Sequence, residues 1–186
     1  MNDAIKIQYK LIQDRYVKVT WTHKIQECQG DLYYNKAKIV KTHITWFTVL
    51  TTGSALTSML PWFADTSVMS SVIAFLAIFL SYFTIRYGDG YLEKKAVENK
   101  RFASDVHDLR NKYESLLADI KAELLSEDDI ISRRNKLRQE EQDLYANAPY
   151  TSEKAVSNAE AKLKINRDST TEDSEIEAII PDYLKV

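Results

Sequence analysis

The side chains with the widest chemical range in this sequence are three histidines, His23, His43 and His107, and one cysteine, Cys28. Imidazole and thiolate can hold a metal or act as base and nucleophile, but Cys28 has no Cys or His at metal-ligand spacing. No P-loop and no nucleophile elbow occurs, and the "GDG" at 88–90 is too short to cradle a phosphate. Acidic pairs such as Asp128–Asp129 and Glu140–Glu141 read as solvated helix faces. The expectation is a protein without catalytic residues, metal or cofactor. A different chemistry comes from hydroxyls. Thr45, Thr48, Thr51, Thr52 and Ser58 share one arc of a stretch that carries no fixed charge. Such groups line the walls of water-filled paths. They also bond the carbonyl four residues earlier and then pack without further role. Both readings stand.

The elements carrying these hydroxyls are two uncharged runs, Thr42 to Ala64 and Thr66 to Ile85. Each is long enough to cross a hydrocarbon core of ~30 Å as a helix. Lys36, Lys38 and Lys41 precede the first run, and Arg86, Lys94, Lys95, Lys100 and Arg101 follow the second, while "MLPWFADTS" between them has no Lys or Arg. That asymmetry puts both termini in the cytoplasm and the turn outside. Trp46, Trp62, Tyr82 and Tyr87 sit near the run ends, where amphipathic rings favour the lipid–water boundary. Pro61 is expected to stop the first helix, and Asp65 or Thr66 to cap the second. In the second run Ser70, Ala74, Ala77, Ser81 and Thr84 form a small-residue stripe suited to close helix packing in lipid.

Around the runs the 186-residue chain is polar, with 25 basic and 27 acidic residues, only four Gly and three Pro, and a mean hydropathy of −0.36. So little Gly and Pro favours an all-α fold. A single Cys fits a reducing compartment. The start, "MNDAIKIQYKLIQ", lacks the apolar core of a signal peptide. Neither end is basic enough for direct nucleic-acid binding. Residues 1–41 read as amphipathic N-terminal helices, with Ile5, Tyr9, Ile12, Tyr16 and Val19 on one face, a break at Gly30 and a new helix capped by Asp31. Residues 42–87 are the two-transmembrane hairpin. Residues 88–165 form a helical bundle or coiled coil, whose seam is Phe102, Val106, Leu109, Tyr113, Leu116 and Ile120. Ser126 caps a further helix bearing Ile130, Leu137 and Leu144. Thr151 or Ser152 starts a short one with Val156, Ala159 and Leu163. Residues 166–186, with two basic and six acidic groups, read as an acidic, mostly disordered tail.

Several stretches resemble the SLATT family, the SMODS- and SLOG-associating two-transmembrane effector domains of prokaryotic conflict systems. "KIQECQGD", Lys24 to Asp31, is similar to a K-x-H-E-x-x-A-D-like run, with Gln26 where the family has His and Gly30 where it has Ala. "TTGSAL", Thr51 to Leu56, is similar to its first-span segment. "LRNKYESLLADI", Leu109 to Ile120, and "RNKLRQEEQDLYANAPYTS", Arg134 to Ser152, carry its L-R-x-x-Y-x-x-L-L, R-x-x-L and A-P-x-T marks. The resemblance implies an inner-membrane effector of anti-phage defence, proposed to form a homo-oligomer and breach the bilayer as a pore. Its trigger would be a cytoplasmic sensor, either a nucleotide-linked enzyme or a reverse transcriptase. The alternative is a passive membrane anchor or scaffold whose helices recruit a partner.

Overall fold

A computed structural model describes residues 3–58 and 67–165, with side chains described for 3–53 and 70–163. All regular structure among the described residues is helical. The elements are α1 (Asp3–Ser58), α2 (Ser67–Tyr87), α3 (Tyr91–Lys121), α4 (Glu127–Tyr145) and α5 (Glu153–Ile165). The expected stop at Pro61, the caps at Asp65 or Thr66 and the acidic tail 166–186 lie outside the described residues.

The largest departure from expectation is α1. Its 56 residues run through Gly30 without interruption, so neither the break there nor a new helix capped by Asp31 exists. A mid-helix glycine costs about 1 kcal/mol relative to alanine. Here it meets a close neighbour instead of ending the helix. A Cβ at residue 30 would lie 2.9 Å from Cγ of Lys100, so the lysine stem occupies the space that glycine leaves.

The chain divides into two compact units. The first comprises the described residues of Met1–Gly30 and Val97–Val186, and the second comprises Asp31–Ala96. In the first, the α1 stripe Tyr9, Ile12, Tyr16 and Val19 is buried together with Phe102, Val106, Leu109, Tyr113, Leu116, Leu117 and Ile120 of α3. Ile130 and Leu137 of α4 complete that core. Contacts His23 with His107 and Gly30 with Lys100 step in opposite directions along the chain, so α1 and α3 are antiparallel. Lys112–Glu140 and Asp119–Arg133 make α3 and α4 antiparallel in the same way. The spacings of four and three in the sequence thus resolve into a three-helix core.

The joints follow backbone chemistry. Ser126 Oγ accepts the Asp129 N–H at 3.3 Å and caps α4. Ser152 Oγ accepts the Ala155 N–H at 3.3 Å at the start of α5. In α5 the buried positions are Ala155, Ala159 and Leu163, whereas Val156, expected on that face, is 41% exposed. In the second unit, α2 joins α3 through Gly88–Asp89–Gly90, with Gly90 at φ +65°. A Cβ at residue 88 would sit 2.3 Å from the Thr84 carbonyl oxygen, so only glycine fits that turn.

The end of α3 holds a non-glycine residue in the left-handed region, Glu123 at φ 55°. Its N–H bonds the Ile120 carbonyl at 3.0 Å, and the Leu124 N–H bonds that of Asp119 at 3.1 Å. This is the Schellman arrangement, which favours glycine at that position. Glu123→Gly is therefore expected to stabilise the bundle by about 1 kcal/mol, read as a raised denaturant midpoint with an unchanged slope. A lowered midpoint would show that the glutamate side chain contributes more than the backbone strain removes.

Candidate functional site

Two regions bring together groups that can do more than pack: the uncharged helices of the second unit and the polar seam of the first. In the second unit, α2 holds an 18-residue stretch of mean hydropathy 1.5, no residue of which is buried. It is the one helix among the described residues long and apolar enough to cross a membrane. Its outward side chains include Val72, Phe75, Ile78, Tyr82 and Ile85, the last 83% exposed. On the other side, Phe47 of α1 lies 6.1 Å from Phe79 and 6.3 Å from Phe83, and Phe83 stacks on Tyr87 at 6.2 Å. Among the described side chains, aromatic rings therefore join α1 to α2. Of the small-residue stripe only Ala77 is partly covered; Ser70, Ala74 and Ser81 are exposed.

The hydroxyl arc takes a definite form. Thr45 donates to the Lys41 carbonyl at 2.9 Å, Thr48 to Ile44 at 2.8 Å and Thr51 to Phe47 at 2.7 Å. Thr42 does the same to Lys38 at 2.9 Å. Each hydroxyl proton is thereby satisfied inside its own helix, and the polar face needs no second chain to make it tolerable in lipid. Thr52 is exposed, and the Ser58 side chain lies outside the described ones.

In the first unit the six seam residues Phe102, Val106, Leu109, Tyr113, Leu116 and Ile120 are all buried inside the chain. A face sealed in this way meets a second copy only if the bundle opens. Beside it lies a carboxylate that belongs to no solvated face. Glu141 is 7% exposed, accepts the Tyr113 hydroxyl proton at 2.9 Å and pairs with Arg15 at 3.6 Å. One acidic group thus ties α1, α3 and α4 together. Its position was legible, because residue 141 lies four after Leu137 and three before Leu144 on the buried face. Composition alone made it look like half of an acidic surface pair.

The N-terminal stripe also continues past its last apolar residue. Gln26 donates from Nε2 to the Pro149 carbonyl at 3.2 Å, and Gln29 Oε1 accepts both the N–H (2.8 Å) and the hydroxyl (2.7 Å) of Ser152. These bonds fasten the α4–α5 joint to α1. His23 and His107, far apart in sequence, have ring centroids 5.2 Å apart, with Glu27 4.0 Å from His23. Between α3 and α4 a groove of about 430 Å³ has Leu116 and Leu137 in its lining, and the ion pairs Lys112–Glu140 and Arg133–Asp119 cross it. No group of three His, Cys, Asp or Glu side chains able to hold a metal occurs among the described residues.

All regular structure among the described residues is thus helical, and one bare helix is long and apolar enough to cross a membrane. The chain belongs to the SMODS and SLOG-associating 2TM effector domain family 4, whose model matches residues 9–175. That family groups two-transmembrane effector domains associated with conflict systems, and its name couples them to SMODS and SLOG partners. No curated protein and no solved structure matches the chain.

Burial raises the pKa of the Tyr113 phenol above the ordinary value of 10.0, with the Glu141 charge and hydrogen bond adding to it. A folded-state pKa above the unfolded one gives stability that is present below about pH 10 and lost as pH rises beyond it. Tyr113→Phe leaves Glu141 with Arg15 alone and is expected to cost about 1–2 kcal/mol near neutral pH. It should also reduce the alkaline loss of stability. Chemical denaturation at pH 7.5 and pH 10.5 measures both effects, and a variant as stable as the parent at both would remove the tie from the account.

Proposed function

We propose that this chain is an inner-membrane effector of an anti-phage conflict system. In this reading residues 42–87 cross the bilayer as a two-helix hairpin, with 1–41, 88–165 and the tail 166–186 in the cytoplasm. Copies of the chain assemble and breach the membrane when a SMODS- or SLOG-linked sensor, a nucleotide-linked enzyme or a reverse transcriptase signals. The observation that carries it is the uncovered apolar surface of α2 in a chain of a two-transmembrane effector family. An exposed face of this size is stable only against lipid or other apolar helices. Lys36, Lys38 and Lys41 before the first run and Arg86, Lys94 and Lys95 after the second support the orientation.

Assembly is supported by the exposed stripe Ser70, Ala74 and Ser81, along which a second helix approaches closely in lipid. The seam residues 102–120 then act as receiver of the signal, since their packing holds α1 against α3 within one chain. The path through the membrane runs along Thr45, Thr48, Thr51, Thr52 and Ser58. A second reading, a non-pore anchor or scaffold, has its own support in the back-bonded threonines, whose hydroxyls need no water.

Two experiments test these statements. With Cys28 replaced by Ser, an impermeant thiol reagent on intact cells is expected to label Asp65→Cys and to leave Ser157→Cys untouched until lysis. Labelling of residue 157 in intact cells overturns the orientation. Replacing Thr48 and Thr52 together by Val keeps shape and removes hydroxyls, so a wetted path should dewet. The pore reading expects normal assembly with dye leakage from liposomes reduced at least tenfold. Leakage equal to the parent's, or none from either protein under triggering conditions, supports the scaffold.

A further inference from the structure

The two imidazoles that meet between α1 and α3 have no part in the function proposed above. His23 lies four residues after Val19 on the α1 stripe, its side chain 17% exposed, and His107 adjoins the buried Val106 of α3. Their rings are 5.2 Å apart and inclined at 47°, a contact that neutral imidazoles make comfortably and two imidazolium ions do not. The charged groups facing His23 are Lys24 and Glu27 from α1 and Arg110 from α3. Glu27, the one acid among them, is already held by Lys24 at 3.1 Å and also faces Lys100. Cations thus outnumber the single carboxylate around His23.

We propose that the His23–His107 contact is a proton-operated catch between α1 and α3, closed while His23 is neutral and released when His23 takes a proton. Acidification of the compartment that holds this unit would then loosen the α1–α3 contact. Burial holds the His23 pKa below its ordinary value of 6.5, with Glu27 opposing and Arg110, His107 and Lys24 adding to the depression. A basic group with a depressed folded pKa contributes stability that is full above pH 6.5 and is lost as pH falls below it. The catch stands apart from the pore reading, because it concerns the folding of the first unit and not flux through the second.

The sequence has three histidines, so His43, outside the pair, serves as control. Full-length protein in lipid nanodiscs is melted at pH 7.5 and pH 5.5, following helicity by circular dichroism. The parent and His43→Gln should each lose about 3–5 °C at the lower pH, the shift that a roughly tenfold change in the folding equilibrium produces at this size. His23→Gln and His107→Gln should each lose less than half as much. An undiminished fall in either variant, or a fall abolished by His43→Gln, overturns the catch. Hydrogen exchange of the parent needs no variant. After correction for intrinsic rates, amides of α1 around residues 20–27 should exchange at least fivefold faster at pH 5.5, and unchanged protection overturns it equally.

Discussion

One unbroken helix joins a buried apolar stripe to an uncharged run. α1 runs without a break over 56 residues, Asp3–Ser58. Its first thirty residues bury tyrosine, isoleucine and valine against α3 and α4, and its last seventeen carry no fixed charge. A helix tolerates this change of surroundings because every backbone group is paired within the segment, whatever the solvent outside. What changes along it is the side chains alone. Threonines at 42, 45, 48 and 51 extend the same economy to side chains by bonding backwards. α3 and α4 cover its first half, and the Phe79 and Phe83 rings of α2 pack on Phe47 in its second.

Burial of apolar residues brings α1, α3 and α4 together but says little about register, since a slide by one heptad would present a similar stripe. Polar contacts make that slide costly. Glu141 has partners on two other helices, and moving α4 by a turn would leave a buried carboxylate with neither. Removing partners from a buried charge costs several kcal/mol, whereas the gross attraction between the three helices is almost indifferent to register. Gln26 and Gln29 act likewise on the α4–α5 joint, where two backbone groups depend on their amides. Specificity here comes from a few polar atoms set in a large apolar surface.

The same logic says what the sequence disclosed. Spacings of four and three were enough to identify the α1 stripe, the α3 seam and the faces of α4, because apolar periodicity reports burial directly. The Ser126 cap was legible from its partner three residues on. The continuity of α1 was not, since a glycine signals a break and only the Lys100 stem opposite explains why it fails to be one. The stripe Ile5, Tyr9, Ile12, Tyr16, Val19 continues at the same alternation through His23, Gln26 and Gly30, and the α3 seam extends back to Asn99. Following period instead of polarity would have found the buried polar residues. Pairing them was beyond sequence, because whether His23 meets His107 depends on the relative stagger of two helices. For the uncharged run, the hydroxyl arc was plain, yet its bonding was ambiguous until Thr45, Thr48 and Thr51 were seen to donate to their own helix.

These features bear on how such a molecule could be switched. Shifting an equilibrium from mostly closed to mostly open takes about 5.5 kcal/mol of differential binding. Each buried polar contact of the bundle is worth roughly 1–3 kcal/mol to break, so two or three of them span that range. The apolar core around Leu109, Tyr113 and Leu117 is far more expensive to dissolve, and it need not be. Under the proposed function, a partner acting on the first unit would have only to compete for contacts such as Gln29–Ser152 or Tyr113–Glu141. At Gly30, where the pattern suggested a break, the helix instead packs against the Lys100 stem.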